Sequence, residues 1–265
     1  MVVILLLGLH PHQVRGESAG LPGHHFLYLP LISKQSGDPQ PGTRLVVFEG
    51  FYNPDGLACR AAGLVVDQLA ADYAGAPVVF LEHPINNAPL TRISRFYLAS
   101  SVTAVPPLVM IDSGDQVTDG ILNYFSEYKS MVDRALIRAP LVDVQATWRR
   151  EGNRVFFSVS VINRSGATLS LLENAATVHA LVYEGAKIGV TSRYVRSAVS
   201  ASITPGLAPG GAATFALQTE DLNGVDWNKL HFLALVDYNP GGVAQLAPYD
   251  LLQAAVALPS PAFGW

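Results

Sequence analysis

The chain has 265 residues, 49% of them hydrophobic and only 14% charged, with 23 Gly and 18 Pro. This composition excludes intrinsic disorder over most of the length and supplies apolar side chains for two modest domain cores. The net charge is −4 and no run of like charge exceeds a pair such as Arg149-Arg150, so the basic stripe that phosphate neutralisation demands is missing and nucleic acid is not an expected partner.

Val2 to Leu9 (VVILLLGL) is an apolar run too short to span a bilayer. It matches the apolar middle of a secretory signal without the basic start, since the earliest cation is Arg15, and the alternative is a buried N-terminal strand. Residues 1–20 are therefore expected to be a truncated export signal and 21–42 a linker, with no transmembrane span in the mature chain. The tether-like Ser33–Gly42 (SKQSGDPQPG) supports the linker. His24 and His25 read as solvated flanking residues rather than metal ligands.

From residue 43 the texture is alternately strand and helix. Arg44–Gly50 (RLVVFEG) predicts a strand buried on both faces, and Asn53-Pro54-Asp55-Gly56 a turn. Leu57, Ala61, Leu64, Val65, Leu69 and Tyr73 recur at helical spacing up to the stop at Gly75-Ala76-Pro77. Pro77–His83 predicts a second buried strand parallel to the first. Thr91–Ser100 is expected to be helical, Val105–Asp112 a strand introduced by two prolines, and Gly120–Ile137 a closing helix. Asp112, Asp115 and Asp119 surround a turn and a helix start, where Asp serves as a cap without any metal.

Pro140 marks a predicted boundary, after which alternating strands take over: Val142–Arg149, Arg154–Asn163, Thr177–Tyr183, Lys187–Tyr194, Ala212–Gln218, Leu230–Asp237 and Val243–Ala257. Their spacing predicts an all-β sandwich of immunoglobulin-like type over 140–258, with 259–265 as a tail. Asn163-Arg164-Ser165 fits the glycosylation tripeptide but sits where a turn favours Asn. Trp148, Trp227 and Trp265 would form a sugar platform only on a shared exposed face, and core packing is the stronger expectation for the first two.

Leu45–Tyr73, with Glu49 and Phe51 before the turn, resembles the strand, active-site turn and first helix of the thioredoxin-like superfamily. Arg95-Phe96-Tyr97 followed by Val105-Pro106 is similar to that superfamily's approach to its cis-proline, which implies that Pro106 is the cis residue. The resemblance implies an α/β thioredoxin-like domain over 43–138, followed by the sandwich. It also departs from the family. Dithiol oxidoreductases carry Cys-x-x-Cys at the helix start, where the dipole and free N–H groups stabilise a thiolate. Here the four positions read Gly56-Leu57-Ala58-Cys59, and one sulfur cannot complete a thiol–disulfide cycle unaided.

Two readings of each candidate stay open. Cys59 is a small buried apolar side chain, or a lone thiol assisted by Arg60. His83, at the carboxyl end of the second strand, is a base to Cys59 or a strand-end cap. Glu49 is a buried acid tuning that sheet edge, or one satisfied by a backbone N–H. Gly56, Leu57, Val105, Pro106 and Glu49 would line a binding groove. The leading functional expectation is an exported, non-catalytic binding or scaffolding module of the cell envelope, without cofactor or metal, whose partner is an extracellular or envelope protein. The alternatives are a single-cysteine thiol oxidoreductase or peroxidase-like enzyme, and a cell-surface adhesion protein binding through the sandwich.

Overall fold

A computed structural model describes residues 43–100, 104–120, 123–245 and 247–261. The expected export signal, the linker, the two adjacent histidines, Trp265 and most of the tail lie outside them.

The first half runs β1 (Val46–Tyr52), α1 (Leu57–Asp72), β2 (Val78–Pro84), α2 (Leu90–Ala99), β3 (Leu108–Ile111), β4 (Gln116–Asp119) and α3 (Tyr124–Leu136). The second half runs β5 (Val142–Glu151), β6 (Arg154–Asn163), α4 (Leu171–Asn174), β7 (Thr177–Glu184), β8 (Tyr194–Ser202), β9 (Ala212–Gln218), β10 (Leu230–Tyr238), β11 (Asp250–Val256) and β12 (Leu258–Pro259). β1 and β2 are parallel, as a helical crossover requires, while β3 lies antiparallel on the other side of β1 and β4 beyond it.

The expectation of an α/β thioredoxin-like domain followed by a separate immunoglobulin-like sandwich is overturned. The described chain is mostly β, with four α-helices and two mixed sheets. The larger sheet has eight strands in the order β11-β10-β7-β8-β2-β1-β3-β4 and passes through both halves without a break at Pro140. The physical reason lies at β2, whose outer edge would otherwise present unpaired backbone groups. β8 fills it: Glu82 pairs with Tyr194 in parallel, the Glu82 amide donates to the Arg193 carbonyl, and the Glu82 carboxylate accepts the Ser192 and Arg193 amides at 2.7 and 2.8 Å.

The predicted strand Lys187–Tyr194 is also corrected. Gly189, at φ 60°, turns the chain, and Ile188 and Thr191 close a tight loop by mutual backbone hydrogen bonds. The strand is the Ser-rich segment β8 that follows. Val190 in this loop packs on the core under α1.

Four strands separate β11 from β1 in the sheet order, yet the Leu45 amide donates to Gln253 Oε1 at 2.9 Å and Arg44 reaches Asp250 at 3.3 Å. Such contacts require the sheet to curl onto itself, an exaggeration of ordinary sheet twist. Its inner face buries Leu45, Val47 and Leu81 against Leu181, Leu233, Leu235 and Leu251. The outer face of β1 and β2 packs Val46, Phe48 and Phe80 against α1 and α3. The outer face of β7 and β10 packs Val178, Val182, Phe232 and Val236 against Val155, Phe157 and Val159 of the second sheet, ordered β12-β5-β6-β9. Trp148 joins this core by stacking on Phe232 at 3.9 Å, and Trp227 packs against the same core beneath the Arg150 guanidinium. Asn163 is buried, with its amide donating to the Ala167 and Leu207 carbonyls, which closes it to glycosylation in the folded chain.

Candidate functional site

α1 begins at Gly56, whose extended backbone and lack of a side chain let the Asn53–Gly56 turn lie against the helix; a Cβ there would meet Cys59 Sγ at 3.4 Å. Cys59, one turn in, is 1% exposed and faces the core formed by Phe48, Tyr52, Ala62, Val66 and Tyr128. Its sulfur accepts the Asn53 amide at 3.3 Å. Burial pushes the thiol above its ordinary value, and the single N–H that favours a thiolate does not offset it. Arg60 points to solvent and Leu57 is 80% exposed.

Strand parity separates Cys59 from the other candidates. Successive side chains of a strand point to opposite faces. Phe48 pairs with Phe80 on the face that covers Cys59, whereas Phe51 pairs with His83 on the inner face, and Glu49 shares the parity of Phe51. His83 stacks on Phe51 at 4.6 Å and places Nε2 3.1 Å from Glu49 Oε2. The sheet itself lies between His83 and Cys59, so the expected base–thiol pair does not form.

The inner face instead carries a buried ionic network. Arg92 of α2 donates to Glu49 through Nη2 at 2.5 Å and Nε at 3.1 Å, to Asp237 of β10 through Nη1 at 3.0 Å, and to Ser113 Oγ at 3.0 Å. Arg95 forks onto Asp237 at 3.1 and 3.2 Å, and His179 of β7 places Nε2 3.0 Å from the same carboxylate. Glu49, His83, Arg92, His179 and Asp237 have no solvent exposure. Burial works to raise the Glu49 pKa, but attraction to Arg92 and hydrogen bonds from His83 and Arg92 overcome it and hold the group at about 2. Asp237 is likewise held low against its burial by His179, Arg95 and Arg92. Burial lowers His179, with the two guanidiniums adding to the effect and Asp237 opposing it. A second network begins at Asp112, which takes the left-handed region at φ 52° and accepts from Arg44 Nε at 3.1 Å and the Val47 amide at 3.0 Å.

Pro106 is not the cis residue: the cis bond joins it to Pro107. The pairing of Phe51 with Leu108 brings this segment to the end of the sheet where β1 leaves for the turn at Gly56. Val105 is 61% exposed and its amide donates to Asp119. Gly56, Leu57, Val105 and Pro106 thus share one sheet end, while Glu49 is sealed inside and lines no groove. A concavity of about 170 Å³ lies elsewhere, among Tyr194, Arg196, Glu220 and Asn223. Among the described residues no group of three or more His, Cys, Asp or Glu is placed to hold a metal.

Arg92, His179 and Asp237 are not among the sequence candidates, although each leaves a trace, and Arg95 enters only within the Arg95-Phe96-Tyr97 segment. Arg92 stands four residues before Phe96, on the apolar face of α2. His179 falls inside the run Val178–Val182 and Asp237 directly follows Leu233–Val236, both at positions where alternation predicts an inward side chain.

No family model matches the chain, and no curated protein matches it. Among solved structures, an Agrobacterium tumefaciens protein aligns at 12% identity over 84% of this chain and 98% of its own, with a TM-score of 0.47. The sporulation control protein Spo0M of Bacillus subtilis aligns at 10% identity over 45% of this chain and 49% of its own, with a TM-score of 0.28. Beta-glucosidase 3B of Thermotoga neapolitana aligns at 10% identity over 45% of this chain and 16% of its own, at 0.25. These likenesses carry no functional argument.

Proposed function

We propose that the chain is a non-catalytic binding or scaffolding protein of the cell envelope, exported and working through contact with an extracellular or envelope protein. The observation that carries this reading is the commitment of its two reactive candidates to structure: Cys59 is sealed under the outer face of the sheet, and His83 is stacked and bonded on the inner face. Leu57 and Leu64 favour contact with a partner, being 80% and 69% exposed and seven residues apart on one side of α1. The one observation favouring single-cysteine chemistry is the Asn53 amide on Cys59 Sγ.

Iodoacetamide alkylation of Cys59 against pH, in folded and denatured chain, separates the two. The binding reading expects reaction only on unfolding. Fast alkylation of the folded chain, with a midpoint well below the usual thiol value of about 8.5, would reverse the choice. A photo-crosslinker placed on α1 then tests the surface: it should trap an envelope protein, and Leu57→Glu with Leu64→Glu should abolish trapping without lowering Tm.

A further inference from the structure

The inner-face network joins five elements that are distant in the chain: Glu49 on β1, His83 on β2, Arg92 and Arg95 on α2, His179 on β7 and Asp237 on β10, with Ser113 from the turn after β3. Its charges balance in one state only. Two carboxylates face two guanidiniums, so both imidazoles must be neutral for the sum to be zero. Each imidazole sits against a carboxylate through Nε2, which therefore carries the hydrogen. Each leaves Nδ1 buried and without a partner. At His179 that bare nitrogen is where a second proton would bind. Placed there, it would add a cation to a balanced buried site and a donor that nothing accepts, a combination that burial penalises heavily.

We propose that this network is an acid-sensitive latch that holds α2 against β1 and β10 while His179, bonded to the same Asp237 carboxylate as Arg92 and Arg95, is neutral, and frees α2 when His179 is protonated. α2 is the element that moves, because Arg92 and Arg95 are its only ions in the network and supply all of its ionic contacts to the sheet among the described residues. The Arg95 guanidinium over the Tyr249 ring at 3.4 Å, the Arg92–Ser113 hydrogen bond and apolar contact through Ile93 and Phe96 are its further attachments. β1 stays tied to β2 and β7 to β10 by ladder hydrogen bonds, with β8 joining the two pairs. Other titrating groups do not imitate the effect. Glu49 and Asp237 remain ionised well below the range in which histidine titrates. Asp112, beside Ser113, is pushed by burial up to about 6, so its protonation favours the folded form and opposes opening.

Amide hydrogen exchange of the full chain, read peptide by peptide between pH 7.5 and 5 and corrected for the intrinsic pH dependence, tests the latch. Below the ordinary histidine value of about 6.5, opening coupled to uptake of one proton at His179 should lower α2 protection about tenfold per pH unit. α1 and α3, on the other face of the sheet, should keep their protection. His179→Gln retains an N–H for the Asp237 carboxylate but cannot titrate, so it should remove the tenfold-per-pH-unit slope. Protection of α2 that is flat with pH overturns the latch, as does a slope unchanged in His179→Gln, or an equal loss in α1, α2 and α3. Should His179→Gln fail to fold, the wild-type slope of α2 relative to α1 decides alone.

Discussion

Glu49 shows how a single side chain is retained in a site that disfavours it. A carboxylate with no exposure is stable as an ion only because Arg92 grips both its oxygens and His83 donates to one of them. Glu49→Gln removes the charge and leaves Arg92 under-compensated in a dry environment. Breaking one partner of such a pair costs about 3–5 kcal/mol, which urea unfolding at pH 7 should register. The pH dependence has a definite sign. The folded-state pKa is lowered from 4.5 to about 2, so the contribution of Glu49 is full above about pH 4.5 and disappears as pH falls toward 2. The stability difference between wild type and Glu49→Gln should therefore narrow across that window, and a constant difference would refute the role of the ionised carboxylate. Equilibrium unfolding at a series of pH values measures it.

At the scale of elements, α1 is held by close approach as much as by its apolar face. Gly63 lies where a Cβ would stand 2.6 Å from the Val190 carbonyl oxygen, a backbone atom that cannot swing away. Asp67, one turn on, receives Lys187, Ser192 and Arg193 from the same loop. Gly63→Ala sets two effects against each other. Helix propensity favours alanine by about 1 kcal/mol, whereas overpacking a close contact costs about 1–3 kcal/mol. The backbone identity of the obstructing atom makes the second effect win, so the variant should unfold at lower urea concentration than wild type. A gain in midpoint would mean that the loop yields freely. α4 is a simpler case: Ser170 caps it through Oγ to the Glu173 amide at 3.1 Å, and Ser170→Ala should cost about 1 kcal/mol in the same measurement.

For the whole molecule, the junction of β2 with β8 decides whether two halves behave as one. The shared sheet, the Glu82 carboxylate on the Ser192 and Arg193 amides, and the Arg92–Asp237 pair all cross between them. One cooperative transition is therefore expected. The distribution of chromophores makes this easy to check, because the long helices α1, α2 and α3 belong to the first half, while Trp148 and Trp227 belong to the second. Far-ultraviolet circular dichroism at 222 nm and tryptophan fluorescence should give coincident urea curves. Two separated transitions would show that the junction does not couple the halves. Glu82→Gln, which weakens the grip on both amides, should move the two probes apart before it abolishes either transition.

Local chemistry was enough to read β1, α1, β2 and α2 to within two residues, because buried β-branched runs, helical spacing and Gly-Pro stops act over a few positions. β5, β6, β9 and β10 were legible for the same reason, through their alternation. The burial of Cys59 follows from its place one turn into an apolar helix face. What the chain order concealed was every relation between distant segments. Whether β2 has a free edge depends on β8, more than a hundred residues later, and with that pairing two expected domains become one curled sheet. Whether His83 faces Cys59 depends on the parity that the β1–β2 register imposes. The charge that makes Arg92 look like a surface residue is tolerable inside only because Asp237 and Glu49 arrive from other strands. Hydrophobic pattern is a property of neighbours along the chain and so is written there, whereas edge pairing and charge compensation are properties of neighbours in space.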